Sequence, residues 1–560
     1  MSEGKSSLNR RDFLRIAGAT AGAAAAGVGL NGKGGPELAE AQVVLPPGIN
    51  PSSPPLFANP TVRAQAALAM RTRAAQMEFA MAQGVQHPTN GDEGLSKNFS
   101  SNYSKGLPHN NLGEVDPAAY LALLNALNSG NPDDFEKIPM GGTAKLTNPQ
   151  AGLAFNMQGP DPGALLQVPP PAFRSAEQAS EMAEDYWMAL ARDIPFTDYA
   201  ANQLTIDAAA DMSLFSQFKG PKANGQVTPN TLFRGLTPGD LAGPYLSQFF
   251  WMNCPFGAES VNRKIRTTTP GVNFLTSYSQ WLNAQNGLGA SQPQTYDPTP
   301  RYMRNGRDLG EWVHVDVLFQ GYFNAMLVLF ALGAPLDEFN PYRKSNTQVG
   351  FGTLGGPYIA SLLCGVAEAA LKSVWYQKWY IHRRIRPEEF AGRVHNHVTM
   401  QTFYRIHTEL LGSSVLGRLF NQYGSYLLPM AFAEGCPTHP SYGAGHATVA
   451  GACVTLLKAL FDESWVLPNP VVPTTDGLNL QPYTGPDTLT VGGELNKLAS
   501  NVAIGRNIAG VHWRSDATES HKLGEEIAIR YLMEEKMCFN EQFSGFKLTK
   551  FDGTTITVKV

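Results

Sequence analysis

The chain has 560 residues, of which 43% are hydrophobic and 16% charged, with a formal net charge of −4 and a pI near 6.3. That balance argues against nucleic acid as a partner, because binding a phosphate backbone needs a basic surface. Cys254, Cys364, Cys436, Cys453 and Cys538 are too few for a disulfide framework, and none stands at metal-finger spacing from a histidine, so no zinc site is expected.

Residues 1–41 read as a targeting segment. Asn9-Arg10-Arg11-Asp12-Phe13-Leu14-Arg15 is a twin-arginine motif, a weakly apolar run follows from Ile16 to Leu30, and Ala39-Glu40-Ala41 has the A-x-A form of a cleavage site. Export by the twin-arginine route from a bacterial host is expected, to the periplasm or beyond. The run is too short and too rich in Gly and Ala to span a membrane, and no span is expected in the mature chain.

The mature chain, 42–560, has no internal repeat and reads as a single helical domain. Residues 42–345 are expected to pack around the site and build a homo-oligomer interface, and residues 346–560 to carry the site. The 55 glycines and 40 prolines imply long ordered loops, with Pro-rich stretches at 45–60 and 159–172 wrapping the surface. Helical periodicity runs through 61–83, 175–192, 309–332, 357–386, 397–411, 447–461, 492–508 and 517–537, so the fold class is mostly α, a helical bundle. Apolar faces such as Val317-Leu318-Phe319 and Met326-Leu327-Val328-Leu329-Phe330 are assigned to core, and Cys364 and Cys453, in apolar helical patterns, are expected to be buried.

Three stretches carry chemistry. In Lys378-Trp379-Tyr380-Ile381-His382-Arg383-Arg384-Ile385-Arg386-Pro387, Lys378, His382 and Arg386 fall at i, i+4 and i+8 on one helical face, and Pro387 sets Arg386 at a helix end, free to turn toward a ligand. Arg383 and Arg384 read as a solvated basic face, and His382 as a satisfied structural histidine. In His439-Pro440-Ser441-Tyr442-Gly443-Ala444-Gly445-His446-Ala447-Thr448, the glycines let the backbone approach a ligand. The helix that follows aims N–H groups and a positive dipole end at it. His446, at the mouth of this anion site, can exchange a proton near neutral pH.

The third stretch runs from Gly505 to Asp516. Arg506 and His512 are six residues apart and share no helical face, so they flank a cavity or need a break near Gly510. Asp516, one turn after His512, is placed to accept from its second ring nitrogen and fix the tautomer. His395, His397 and His407 have no ligand spacing and read as core or surface. The ending Phe546 to Val560 reads as a small β-hairpin turning at Asp552-Gly553.

The order Lys-x7-Arg-Pro, His-Pro-Ser-Tyr-x-x-Gly-His, Gly-Arg-x5-His-x3-Asp, spanning 378–516, resembles the three-part signature of the vanadium-dependent haloperoxidases. That family shares its core with the type 2 phosphatidic acid phosphatase superfamily. The eight-residue Lys-to-Arg step and His439-Pro440-Ser441-Tyr442 are most similar to the bromoperoxidases of marine algae and cyanobacteria. The resemblance implies a helical bundle of the haloperoxidase and acid phosphatase type with vanadate as cofactor. His512 would bind vanadium; Lys378, Arg386, Arg506 and the Gly445 amide would hold oxygens of the anion. His446 would be the acid–base group at the apical oxygen, with His439 close by.

The implied substrates are hydrogen peroxide, a halide (bromide first) and a small organic acceptor, with Lys378 polarising the bound peroxide. Two positions depart from the family pattern. Ala444 stands where the family has a serine that donates to a vanadate oxygen. Trp375, near the face of Lys378, stands where some algal bromoperoxidases have arginine and chloroperoxidases have tryptophan, so halide preference stays open. Calcium is bound by some algal members, but Asp337-Glu338 and its surroundings form no recognisable loop. The alternatives are an acid phosphatase, with two histidines as nucleophile and leaving-group acid, and a non-catalytic secreted helical protein. Length and His439-Pro440-Ser441-Tyr442 favour the peroxidase.

Overall fold

A computed structural model of the protein describes residues 60–81 and 86–560, so the twin-arginine motif and cleavage site lie outside the described residues. By compactness the chain divides after Arg73, within helix α1 (Pro60–Met81), and residues 74–560 form one unit that holds all the elements described next.

The helices that follow form where apolar periodicity meets a cap. α2 (Pro117–Ser129) starts with proline at its first position behind Asp116, whose carboxylate accepts from the Ala118 and Ala119 amides. α3 (Ala176–Ala191) is capped by Ser175 and buried along almost its whole length. α4 (Gln203–Met212) and α5 (Tyr278–Gln285) precede the pair α6 (Gly306–Val315) and α7 (Gln320–Ala331). The second half holds α8 (Gly356–Tyr376), α9 (Pro387–Val398), α10 (Ser414–Tyr423), α11 (Gly445–Leu460), α12 (Val491–Ile508) and α13 (Arg514–Cys538). Strands occur as antiparallel hairpins: β1 (Cys254–Phe256) with β2 (Glu259–Val261), β3 (Val471–Pro473) with β4 (Leu480–Pro482), and β5 (Phe546–Thr549) with β6 (Thr555–Val558). The last turns at Asp552-Gly553, where Gly553 has φ +84°, as its Asp-Gly signal requires.

Several expectations need correction. The apolar run 309–332 is two helices bent by 102°, because the chain leaves the helix at Asp316 (φ −66°, ψ 152°). The expected helix 397–411 is α9 ending at Val398, a loop in which Met400 takes φ +60°, and a single turn at Thr408–Leu411. α8 passes into a π-helical turn (Gln377–His382) and stops at Arg383 (φ +40°), so Lys378 and Arg386 do not share a helical face. Arg383 and Arg384 are not a solvated face: Arg383 grips Glu93 through Nε and Nη2 at 2.7 Å each, and buried Arg384 donates to Glu181 at 2.6 Å and Asp516 at 2.7 Å. Cys364 is exposed, whereas Cys453 is buried as expected.

The centre of the bundle is α11, buried on all sides and packed against α8, α12 and α13. Glycines allow this closeness. A Cβ on Gly524 of α13 would sit 2.1 Å from the Thr448 carbonyl of α11, and one on Gly451 2.3 Å from the His521 carbonyl of α13. The segment Gly356–His382 has the length and apolarity of a membrane span, but half of its most apolar window is buried against this core.

The backbone-to-backbone approach leaves no flexible side chain to give way. Gly524→Ala is expected to destabilise the fold by about 3 kcal/mol, because the two helices must separate. A urea-unfolding midpoint equal to wild type would show that the packing relaxes.

Candidate oxyanion site

Three separate chain reversals build the site. Arg383 turns the chain out of the α8 extension, leaving Lys378 on the π turn and Arg386 on the extended residue before α9, where Glu389 accepts from the Arg386 amide at 3.2 Å. The second reversal, Ser441 to Ala444, contains a cis Tyr442–Gly443 peptide and leads into the N-terminus of α11 at Gly445. In the third, α12 ends at Ile508 and Gly510 (φ +87°) turns the chain so that His512 precedes α13. This is the break that the Arg506-to-His512 spacing demands.

The reversals bring Lys378, Arg386, Arg506, His439, His446 and His512 into one buried pocket. Lys378 Nζ donates to the carbonyls of Pro440 and Ser441, both at 2.9 Å, which leaves one of its three N–H groups. Arg386 donates to the carbonyls of His439 (2.9 Å) and Val511 (2.6 Å), to His512 Nε2 (3.1 Å) and to His439 Nδ1 (2.9 Å). Arg506 donates to the Val313 carbonyl at 2.7 Å, and its Nε is buried without a hydrogen-bond partner. The three cations thus use carbonyls and imidazoles as acceptors, and their charge is left for something else to balance.

The carboxylates hold the histidines instead. Asp516 Oδ2 accepts from His512 Nδ1 at 2.8 Å, from the Trp513 amide at 3.2 Å and from the Ser441 hydroxyl, while Oδ1 accepts from Arg384. An arginine can only donate, so the Arg386 contact makes His512 Nε2 an acceptor and places the proton on Nδ1. His512 therefore presents a lone pair to the pocket. Burial, then the charges of Arg386, Lys378 and Arg506, hold its pKa well below the ordinary value. Lys378 is pushed in the same direction by burial and then by Arg386.

His446 Nε2 lies 2.9 Å from Asp316 Oδ1, which fixes the proton there and leaves Nδ1 to take or give one. Burial lowers the His446 pKa although Asp316 opposes it. Burial, then Lys378 and Arg386, lower that of His439 too. Trp375 forms a wall: its ring centroid is 4.9 Å from that of His439 and 5.7 Å from Lys378 Nζ, and a Cβ on Gly445 would lie 3.1 Å from its Cζ3. The Ala444 amide donates to Ser520 Oγ at 2.8 Å, and its side chain joins a small cluster with Ala447, Ala503 and Ala517.

Asp316, Ser441, Ser520 and Arg384 were missed in the sequence. Asp316 was hidden because the apolar run around it reads as one helix. Arg384 was hidden because its partners lie 203 and 132 residues away.

A helical bundle that gathers a lysine, two arginines and three histidines in a buried pocket, with helix-end amides beside them, defines a protein built to hold a small oxyanion. The comparisons give that class a family. Residues 359–541 match the family model described as the VCPO second helical-bundle domain. The chain is 36% identical to the vanadium-dependent bromoperoxidase of Corallina pilulifera over 592 aligned residues, 89% of this chain and 99% of that one. It is 36% identical to the enzyme of the same description from Ascophyllum nodosum, over 89% of this chain and 92% of that one. The solved homohexameric second vanadate-dependent bromoperoxidase of Ascophyllum nodosum superposes with a TM-score of 0.85 at 31% identity, covering 94% of this chain and 95% of that one. The chain belongs to the vanadium-dependent haloperoxidase family.

At the pocket's edge His314 stacks on Phe432 (centroids 3.7 Å, interplanar 9°) and pairs with Glu434 at 2.7 Å, while Arg506 lies 5.4 Å from the same ring. Burial opposes the His314 charge, but the ion pair with Glu311 at 3.5 Å and the hydrogen bond to Glu434 carry its pKa up to about 9 against the repulsion of Arg506. A pKa raised on folding contributes stability that is fully present below the unfolded value of 6.5 and lost as pH rises through about 9. Wild-type stability is therefore expected to fall over that interval by more than that of His314→Gln, measured by urea midpoints. Parallel pH profiles for the two proteins would remove His314 from this account.

Proposed function

We propose that the chain is a vanadate-dependent peroxidase that oxidises bromide with hydrogen peroxide to hypobromous acid, which halogenates small organic acceptors. The observation that carries the reading is His512: a tautomer locked by Asp516 makes Nε2 an acceptor, bonded by Arg386 at 3.1 Å, in a pocket whose cations donate no hydrogen bond to a carboxylate. Vanadate fits that donor set, an imidazole nitrogen for the metal and cationic N–H donors for its oxygens, including the buried Arg506 Nε and the remaining Lys378 N–H. Bound there, vanadium(V) would act as a Lewis acid that activates peroxide without changing its own oxidation state.

The chain's own residues do the rest. Arg386 and Arg506 would balance the anion's charge, and the remaining N–H of Lys378 would donate to one of its oxygens and polarise it. His446, with Nε2 held by Asp316, would take a proton from peroxide at Nδ1 and give it back to the departing oxygen product. Trp375 and His439 form the wall beside the halide. The bromoperoxidase relatives and the homohexameric neighbour support bromide and a homo-oligomer. The twin-arginine motif supports export in the folded state.

Adding orthovanadate to apo-protein should produce peroxide-dependent bromination of monochlorodimedone. Phosphate-ester hydrolysis in its place would turn the assignment to a phosphatase.

His512→Ala should lose vanadium on dialysis, whereas His446→Ala should keep it and fall in turnover by about 10²–10⁴-fold. Equal vanadium content and equal residual bromination in the two variants would contradict this division of roles.

A further inference from the structure

A second cavity, of about 640 Å³, lies at the opposite end of α6 from the oxyanion pocket. Arg304 lines it just before the first residue of α6, and Asp316, which holds His446, follows the last. A helix of that length spans about 15 Å, so the two sites are separate.

Aromatic rings line much of this cavity. Phe196 stacks on Tyr245 with centroids 3.8 Å apart, and Tyr199 and Trp251 continue the lining. The β3–β4 hairpin and Tyr483 face the same cavity. Two arginines stand among these rings. Arg234 gives Nη2 to the carbonyls of Gly243 (3.2 Å) and Pro244 (2.9 Å) and lies over Tyr245 at 5.6 Å. Arg304 gives Nη1 to the Thr475 carbonyl at 3.2 Å. The Nε of Arg234 is buried with no hydrogen-bond partner, whereas that of Arg304 lies 3.4 Å from Asp308 Oδ2.

Asp308 pairs with Arg304, and the carboxylates near Arg234 are held by other donors, Asp487 by the Gly243 amide at 2.7 Å and the Tyr483 hydroxyl at 3.3 Å. Asp308, 3.4 Å from Arg304, accepts from Thr267 at 2.6 Å and from the Arg304 amide at 3.1 Å, and Asp240, near Arg234, accepts from Thr237 and Ser500. Among the described residues the lining itself contributes no carboxylate. Two guanidinium groups in a lining without a carboxylate favour an anionic ligand that can take their remaining N–H groups, while an aromatic wall takes the face of a ring.

We propose that this cavity binds a planar aromatic carboxylate, its ring along the wall of Tyr245 and Trp251 and its carboxylate on Arg234 and Arg304. Only its use rests on the proposed function: a phenolic acid held here is an electron-rich acceptor for hypobromous acid. Binding itself needs neither peroxide nor halide.

The test is calorimetric titration of the vanadate-loaded full chain with 4-hydroxybenzoate, without peroxide or halide, so that failure here leaves the peroxidase reading intact. One ligand per chain is expected, with 4-hydroxybenzyl alcohol at least about tenfold weaker. Arg304→Gln should weaken binding about tenfold and leave monochlorodimedone bromination unchanged, and Arg234→Lys, which keeps the charge but loses the fork, should weaken it as well. Should either variant fail to fold, the other, together with the neutral analogue, still decides the matter. Absence of saturable binding up to about 10 mM, equal affinity for the alcohol, unweakened binding by a folded variant, or displacement of the acid by excess vanadate would overturn the proposal.

Discussion

Lys378, Arg386 and Arg506 are buried side by side, and none is neutralised by the carboxylates of its own pocket. Each desolvated cation is worth several kcal/mol of instability, and their mutual repulsion adds to it. Such an arrangement is tolerated where carbonyl acceptors replace part of the lost hydration and where an anion completes the balance. Burial and like charge already lower the Arg506 pKa to about 10 and lower that of Lys378 as well.

The rest of the fold braces that constraint. Glu389 accepts from the amides of Ser104 and Lys105, and Lys105 pairs with Glu388 at 2.9 Å, so the chain ahead of α2 pins the turn that carries Arg386. Glu181 of α3 holds Arg384, Arg384 holds Asp516, and Asp516 orients His512; α3 thus reaches the pocket without touching the ligand position. At the other wall Val313 and Asp316, from the end of α6, address Arg506 and His446. Acids act on imidazoles and on second-rank arginines, and the pocket's three cations are left for the oxyanion. One scaffold thereby leaves three cations with only carbonyl and imidazole acceptors and a histidine whose second nitrogen is not held by Asp316.

How much of this is legible in the sequence depends on the range of each interaction. Asp516 four residues after His512, the helix N-terminus at Gly445 and the Asp552-Gly553 turn are local, and spacing alone reveals them. The pocket residues could be named because they sit in three short motifs. Asp316 could not, since hydropathy around it continues unbroken while the backbone turns by 102°. Arg383 and Arg384 look like any exposed basic pair until Glu93, Glu181 and Asp516 arrive from distant segments. Long-range ion pairs leave no periodic signal, and a π-helical turn breaks the very period on which the face of Lys378 and Arg386 was read.

The central claim is that these cations are held for a tetrahedral oxyanion, and thermal unfolding of the apo-protein tests it most directly, because a ligand that binds only the folded state raises its stability. The account predicts that orthovanadate and, more weakly, phosphate raise the midpoint, whereas chloride at matched ionic strength does not. No shift, or the same shift with chloride, would contradict it.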